Sequence, residues 1–334
     1  MTGSPSASGR EPFVSTGSLP APQTVDHLVW RAYELSRGCR DGAPSKVYPA
    51  LEQADVDLFG ICLLEVDGTA HIAGDADHSF TIMSVAKPFT FALVCRTLGV
   101  RSARRLIGAN ATGLRFNAVE AIERSTDGRT NPMVNPGAIA SASWIAGKAE
   151  EKWDTLLGGL SAFAGRSLEL DEEVYACASA TNHVNRSAAW LLHARGLLGC
   201  DPDLALDLYT RQSCLRVTAR DLAVMGATLA DGGVNPVTGE RPITPELCHA
   251  VLAVMLTAGM YEESGDWLYE VGQPAKSGIA GGVMTVSPGK GGLGVFSPPL
   301  DSAGNSVRGG QVSRFLSQEL GLDLLNSIPL ISPE

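Results

Sequence analysis

Apolar positions recur along the chain with two different periods. Residues 58–66, Leu-Phe-Gly-Ile-Cys-Leu-Leu-Glu-Val, form a short apolar run ended by Asp67-Gly68. His71-Ile72-Ala73-Gly74 follows, so two strands joined by an Asp-Gly hairpin are predicted. The same kind of pattern returns near the C-terminus, where residues 283–286 and 293–296 flank the turn sequence 287–292. Between these hairpins the spacing is helical. Helices are predicted over residues 25–37, closed by Gly38, and from Ser84 to Leu98, stopping at Gly99. Another should open at Asn135-Pro136, with Asn as N-cap and Pro in the first turn, and run through Ile139 and Trp144. Thr218-Ala-Arg-Asp221 resembles a capping box and opens a helix closed by Asp231-Gly232-Gly233, and a last amphipathic helix covers 311–320. Strands early and late with helices between imply an α/β chain of the α+β type. Its single antiparallel or mixed sheet is closed by both chain ends, and a helical lobe spans about residues 102–233.

Composition narrows the possibilities. The 334 residues carry 26 basic and 36 acidic side chains, a formal net charge of −10, and 44% of them are apolar. That suffices for a packed core and argues against nucleic acid as the main partner. No apolar run approaches the roughly 20 residues that a bilayer requires, so no membrane span is expected. Residues 1–22 are rich in Ser, Gly, Pro and Ala without a charged start and an apolar block, which predicts a disordered tail ahead of a domain over 23–325. Residues 326–334 are expected to form a C-terminal tail. Seven cysteines (Cys39, Cys62, Cys95, Cys177, Cys200, Cys214, Cys248) are scattered without a CxxC pair, and six histidines are equally dispersed. Neither a disulfide scaffold nor a metal site fits that spacing, and the expectation is a cytoplasmic protein.

Two places hold candidate chemistry. A serine hydroxyl is a weak nucleophile unless a base lies within reach, and Ser-x-x-Lys supplies one when both residues share a helical turn. The spacing occurs at Ser84/Lys87 and at Ser287/Lys290, but Ser287-Pro-Gly-Lys290 is a turn sequence. Ser84-Val-Ala-Lys87 begins an apolar helix, and Pro88 pins the helix start nearby. Ser84 as a helix cap and Lys87 as an exposed lysine form the competing reading; the apolar neighbours of Lys87 favour a partly buried amine able to act as a base. The second place is Lys276-Ser-Gly278, followed by Ile279-Ala-Gly-Gly282. Glycines on a strand edge let a ligand approach and expose backbone N–H groups to an oxyanion.

Longer strings carry a resemblance. Asn131-Pro-Met-Val-Asn135, residues 221–233, Asn235-Pro-Val-Thr-Gly239, Gly259-Met-Tyr261, Pro274-Ala-Lys-Ser-Gly278, Phe296-Ser-Pro-Pro-Leu-Asp301 and Gly304-Asn-Ser-Val-Arg308 are similar to the serine-dependent glutaminase family. The resemblance runs over about residues 25–320. It implies a β-lactamase/transpeptidase-like fold, hydrolysis of the side-chain amide of L-glutamine, no cofactor, a small-molecule substrate, and a homodimer or homotetramer. It implies Ser84 as nucleophile, Lys87 as proton acceptor, and Tyr261 beside the pair aiding proton transfer. Asn135, Asn185 and Tyr209 match positions gripping the amino-acid end of the substrate. Ile279, where the family usually has valine, matches the residue whose N–H completes an oxyanion hole with that of Ser84. Without the resemblance, Asn135 reads as an N-cap, Asn185 as a helix-surface residue, and Tyr209 and Tyr261 as core tyrosines.

The departures from the family pattern cluster in one stretch. The family's Tyr-x-Ser-Glu is Tyr175-Ala-Cys177-Ala178, and its Arg-Asn is Val184-Asn185. The glutamate that meets the substrate ammonium is therefore Ala178, and the arginine is Val184. Glu172 and Glu173 lie on the other side of Tyr175 in sequence. Tyr48 matches a family tyrosine only with a one-residue slip, so it receives no role. An altered amide specificity, a penicillin-recognising type of hydrolase, and a non-catalytic amino-acid-binding paralogue are the alternatives.

Overall fold

A computed structural model of the chain describes residues 17–326. Of the two expected tails, residues 1–16 and 327–334 lie outside the described residues, and Pro22 already opens the first helix, Pro22–Ser36. Strands β1 (Gly60–Glu65) and β2 (Ala70–Gly74) form the predicted Asp-Gly hairpin, with Gly60 opposite Gly74 and Leu64 opposite Ala70. Two short strands follow at β3 (Phe80–Thr81) and β4 (Glu169–Leu170), then β5 (Leu215–Val217) and β6 (Ala275–Ser277). The C-terminal hairpin is β7 (Gly282–Ser287) and β8 (Gly291–Phe296).

The main sheet has the order β2-β1-β8-β7-β6, so the last hairpin docks on the first and both chain ends close it. Every pairing is antiparallel, which settles the choice between antiparallel and mixed. Side chains alternate between its faces. Ile61, Leu63, Leu293 and Val295 pack with Val25, Val29, Val312 and Leu316 of the helices Pro22–Ser36 and Val307–Leu320. Cys62 and Leu64 face the larger core on the other side. Helix Val307–Leu320 starts four residues earlier than expected because Ser306 caps it.

On the second face lies helix Ala219–Ala230, with both halves of the Thr218/Asp221 capping box formed. Its approach is close because β8 presents glycines there: a Cβ on Gly294 would lie 2.0 Å from the Ala219 carbonyl oxygen. This helix therefore belongs to the sheet layer, not to the helical lobe expected over 102–233. Through the centre runs helix Lys87–Leu98, buried on all sides from Lys87 to Cys95. It opens three residues later than expected, since Met83–Ala86 is a 3₁₀ turn. The small sheet β3-β5-β4 anchors the strand that leads into that turn.

Candidate active site

Ser84 sits on the 3₁₀ turn and Lys87 on the first residue of the central helix, so one continuous turn carries both. Among the described residues only two non-glycine residues have a positive φ, Met83 at 48° and Tyr261 at 58°. Each such conformation costs on the order of 1–2 kcal/mol. Both flank the same spot, and the surrounding packing holds them there. Strand β6 ends against the turn: a Cβ on Gly278 would meet the Ile82 carbonyl oxygen at 2.9 Å and the Met83 side chain at 3.4 Å. The glycine-lined ribbon thus faces Ser84. Neither the Ser84 nor the Ile279 N–H has a hydrogen-bond partner among the described residues, so both remain open to an oxyanion.

Lys87 is 1% exposed. Its Nζ donates to Asn135 Oδ1 at 2.7 Å and to the Met133 carbonyl at 3.2 Å, and the ring of Tyr209 lies 5.9 Å away. No carboxylate pairs with it among the described residues. Burial pulls its pKa from 10.5 to about 7, so near neutrality much of the amine is unprotonated. The reading of Lys87 as an exposed lysine is therefore wrong.

Asn135 does not cap its helix. Asn135–Ser143 begins with Asn135 as a helical residue behind Val134, and its side chain turns inward. A directed chain of amides follows. Asn135 Nδ2 donates to Asn185 Oδ1 at 2.9 Å, Asn185 Nδ2 donates to Asn182 Oδ1, and Asn182 Nδ2 donates to Thr210 Oγ1 at 2.8 Å. Asn185 is buried, not on a helix surface. Asn182, at the break between helices Glu172–Thr181 and His183–Ala194, was not singled out from the sequence. Its signal was there: Asn182 and Asn185 stand three apart, the spacing of one helix face.

Tyr261 is buried, and its hydroxyl donates to the Ser277 carbonyl at 3.0 Å. Its ring lies 4.6 Å from that of Phe116 and 4.0 Å from Lys276 Nζ. Burial pushes its phenol well above the ordinary range, while the neighbouring Ser84 hydroxyl pulls it down. Lys276 Nζ donates to the Gly259 carbonyl at 2.8 Å and the Ser277 carbonyl at 2.6 Å. Burial, and then the charge of Lys87, hold this amine well below its usual range. Ser277 Oγ is buried without a partner among the described residues.

Beside these groups lies a cavity of about 120 Å³ lined by Ser84, Asn135, Asn182, Asn185, Tyr209 and Ile279 together with Tyr48 and Val184. Tyr209 is buried, and burial raises its phenol well above 10. Tyr48, given no role from the sequence, is a wall of the cavity with its phenol pushed up to about 12 by burial. Five of the seven predicted residues thus line one cavity, while Lys87 reaches it through Asn135 and Tyr261 neighbours Ser84. Ala178 is buried in the core and does not line the cavity, nor do Glu172 and Glu173. Among the described residues no cluster of His, Cys, Asp and Glu is arranged to hold a metal ion, and the seven cysteines are free thiols.

Comparison with known proteins converges on one family. The Glutaminase family model matches residues 42–325. Glutaminase 2 of Yersinia pestis is 58% identical over 318 residues, covering 95% of this chain and 94% of its own. The glutaminase of Mycobacterium ulcerans (strain Agy99) is 44% identical, with 90% and 95% covered. Among solved structures, "Probable glutaminase ybaS" superposes with a TM-score of 0.90 at 38% identity, over 92% of this chain and all of its own. Mglu in its glutamate form gives 0.86 at 38% identity, over 92% and 71%.

Proposed function

The chain belongs to the glutaminase family, and we propose that it hydrolyses the side-chain amide of glutamine to glutamate and ammonia through an acyl-enzyme on Ser84. The Ser84 hydroxyl attacks the carboxamide carbon as its proton passes to Lys87, with the Tyr261 hydroxyl bridging the two steps of transfer. The oxygen of the tetrahedral intermediate is held by the N–H groups of Ser84 and Ile279. The proton then goes to the leaving nitrogen, ammonia departs, and water repeats the sequence on the ester to release the acid. Asn135, Asn185 and Tyr209 hold the rest of the substrate. Lys276 is assigned a positioning role, since it ties the Ser277 carbonyl and the Tyr261 ring together.

One observation carries this reading. Lys87 is buried on the turn of Ser84 without a carboxylate, and a pKa of about 7 makes it a base at neutral pH. No helix among the described residues is long and apolar enough to cross a membrane. Assembly as a homodimer or homotetramer, a cytoplasmic location, and one catalytic domain over about 23–325 belong to the same proposal. The test is ammonia release from glutamine by the purified protein. Turnover is expected for the native chain and none for Ser84→Ala; equal rates in the two would refute the assignment.

A further inference from the structure

The amide chain beside the cavity runs in one direction, and its far end shows what sets it. Thr210 is buried in helix Pro202–Ser213, and its hydroxyl donates to the Leu206 carbonyl one turn back at 2.7 Å. A hydroxyl carries a single hydrogen. With that hydrogen spent, Thr210 Oγ1 is left only to accept, and Asn182 meets it with Nδ2 at 2.8 Å. Asn182 must then turn its Oδ1 to Asn185, Asn185 its Oδ1 to Asn135, and Asn135 its Oδ1 to Lys87. A carboxamide has oxygen on one arm and NH₂ on the other, so one choice at Thr210 passes through three side chains. All three are buried, where a single amide turned the wrong way sets N–H against N–H or oxygen against oxygen.

The direction decides what Lys87 has left to offer. As a neutral amine it holds two hydrogens and one lone pair. Asn135 Oδ1 and the Met133 carbonyl take one N–H each, so both hydrogens are spent and the lone pair remains for a proton. Were Asn135 turned end for end, its NH₂ would face the amine and claim that lone pair. The reversed amide would also oppose the ammonium form, because its positive end would point at the charge. Thr210 itself does not line the cavity, so it reaches the chemistry only through the amides.

We propose that Thr210 and Asn182 are positioning residues for the hydrolysis: the Leu206 carbonyl, acting through them, holds the Asn135 oxygen toward Lys87 and so keeps the lysine lone pair free for the Ser84 proton. This rests on the serine amidohydrolase reading above, with Lys87 as base, and adds the device that orients that base. Its anchor is a backbone carbonyl within a helix, which cannot rotate as a side-chain partner could.

The experiment measures ammonia release from L-glutamine across pH by the full native chain and two variants. Thr210→Val keeps the branched shape and removes the hydroxyl, while Thr210→Ser keeps the hydroxyl. Thr210→Val is expected to lose about tenfold in kcat, the worth of one hydrogen bond, with KM changed less than about twofold. Its acid limb should move to lower pH by about one unit, since the reversed amide disfavours the ammonium form. Thr210→Ser should stay within about twofold of the native chain, because the bond to the Leu206 carbonyl survives. A native kcat in Thr210→Val, an acid limb that stays put, or an equal loss in Thr210→Ser overturns the proposal while leaving the glutaminase reading intact. If Thr210→Val does not fold, Thr210→Ala takes its place against Thr210→Ser with the same expected outcomes. No ammonia from the native chain overturns both readings.

Discussion

Replacing Asn135 by aspartate exchanges one NH₂ for oxygen on the side chain that accepts from Lys87 Nζ at 2.7 Å. At that separation and an effective dielectric of about 20, attraction between carboxylate and ammonium is about 6 kcal/mol. The cost of burying a second ion is several kcal/mol, and Asn135 is only 6% exposed. The exchange also removes the donor to Asn185 Oδ1 and sets two oxygens facing each other. About half of that attraction, roughly 3 kcal/mol, remains after these costs, which raises the Lys87 pKa from about 7 to about 9.

The sign follows from the role of a base. The neutral amine is the active form, so activity is present above the Lys87 pKa and falls about tenfold per pH unit below it. At pH 7.5 the neutral fraction drops from about three quarters to about 3%, and kcat/KM is expected to fall about 25-fold. Ammonia-release rates from pH 5.5 to 10 would show the acid limb moving from about 7 to about 9, with activity recovering at high pH. A loss that is the same at every pH, with the limb unmoved, would refute the assignment of Lys87 as base and leave Asn135 a binding residue only.

Two other outcomes are expected. Lys87→Met should abolish ammonia release yet stabilise the fold at low pH. The folded-state pKa is depressed, so the lysine's burden is complete below about 7 and disappears as pH rises towards 10.5. The gain is about 5 kcal/mol at pH 6 and small at pH 10 by denaturant unfolding; a gain independent of pH would contradict the burial argument. Gly294→Ala drives a Cβ into the Ala219 carbonyl oxygen and should lower unfolding free energy by about 1–3 kcal/mol, with an unchanged denaturation midpoint as the contrary result.

Local order in the chain was enough for much of this. The short apolar run ended by Asp67-Gly68 and the period-two runs around the turn 287–292 specify two hairpins, because strand and turn signals are local. Thr218 and Asp221 cap a helix within a single turn, a bond that requires no distant partner. Ser84 and Lys87 lie three residues apart, so their proximity is also local.

Everything that depends on contacts between distant segments had to await the folded chain. Asn135 beside Pro136 has the local signature of a cap, yet Lys87, 48 residues earlier, claims its carboxamide. The helix Ala219–Ala230 looks like one more member of a helical lobe, but glycines in β8 open room for it on the sheet. Tyr48 shows no periodicity that marks it, and Asn182 shares only a three-residue spacing with Asn185; both meet the cavity because segments far apart in sequence close around it. Residue spacing determined which groups share a turn. Burial determined what they can do, since only removal from water brings the Lys87 amine down to about 7.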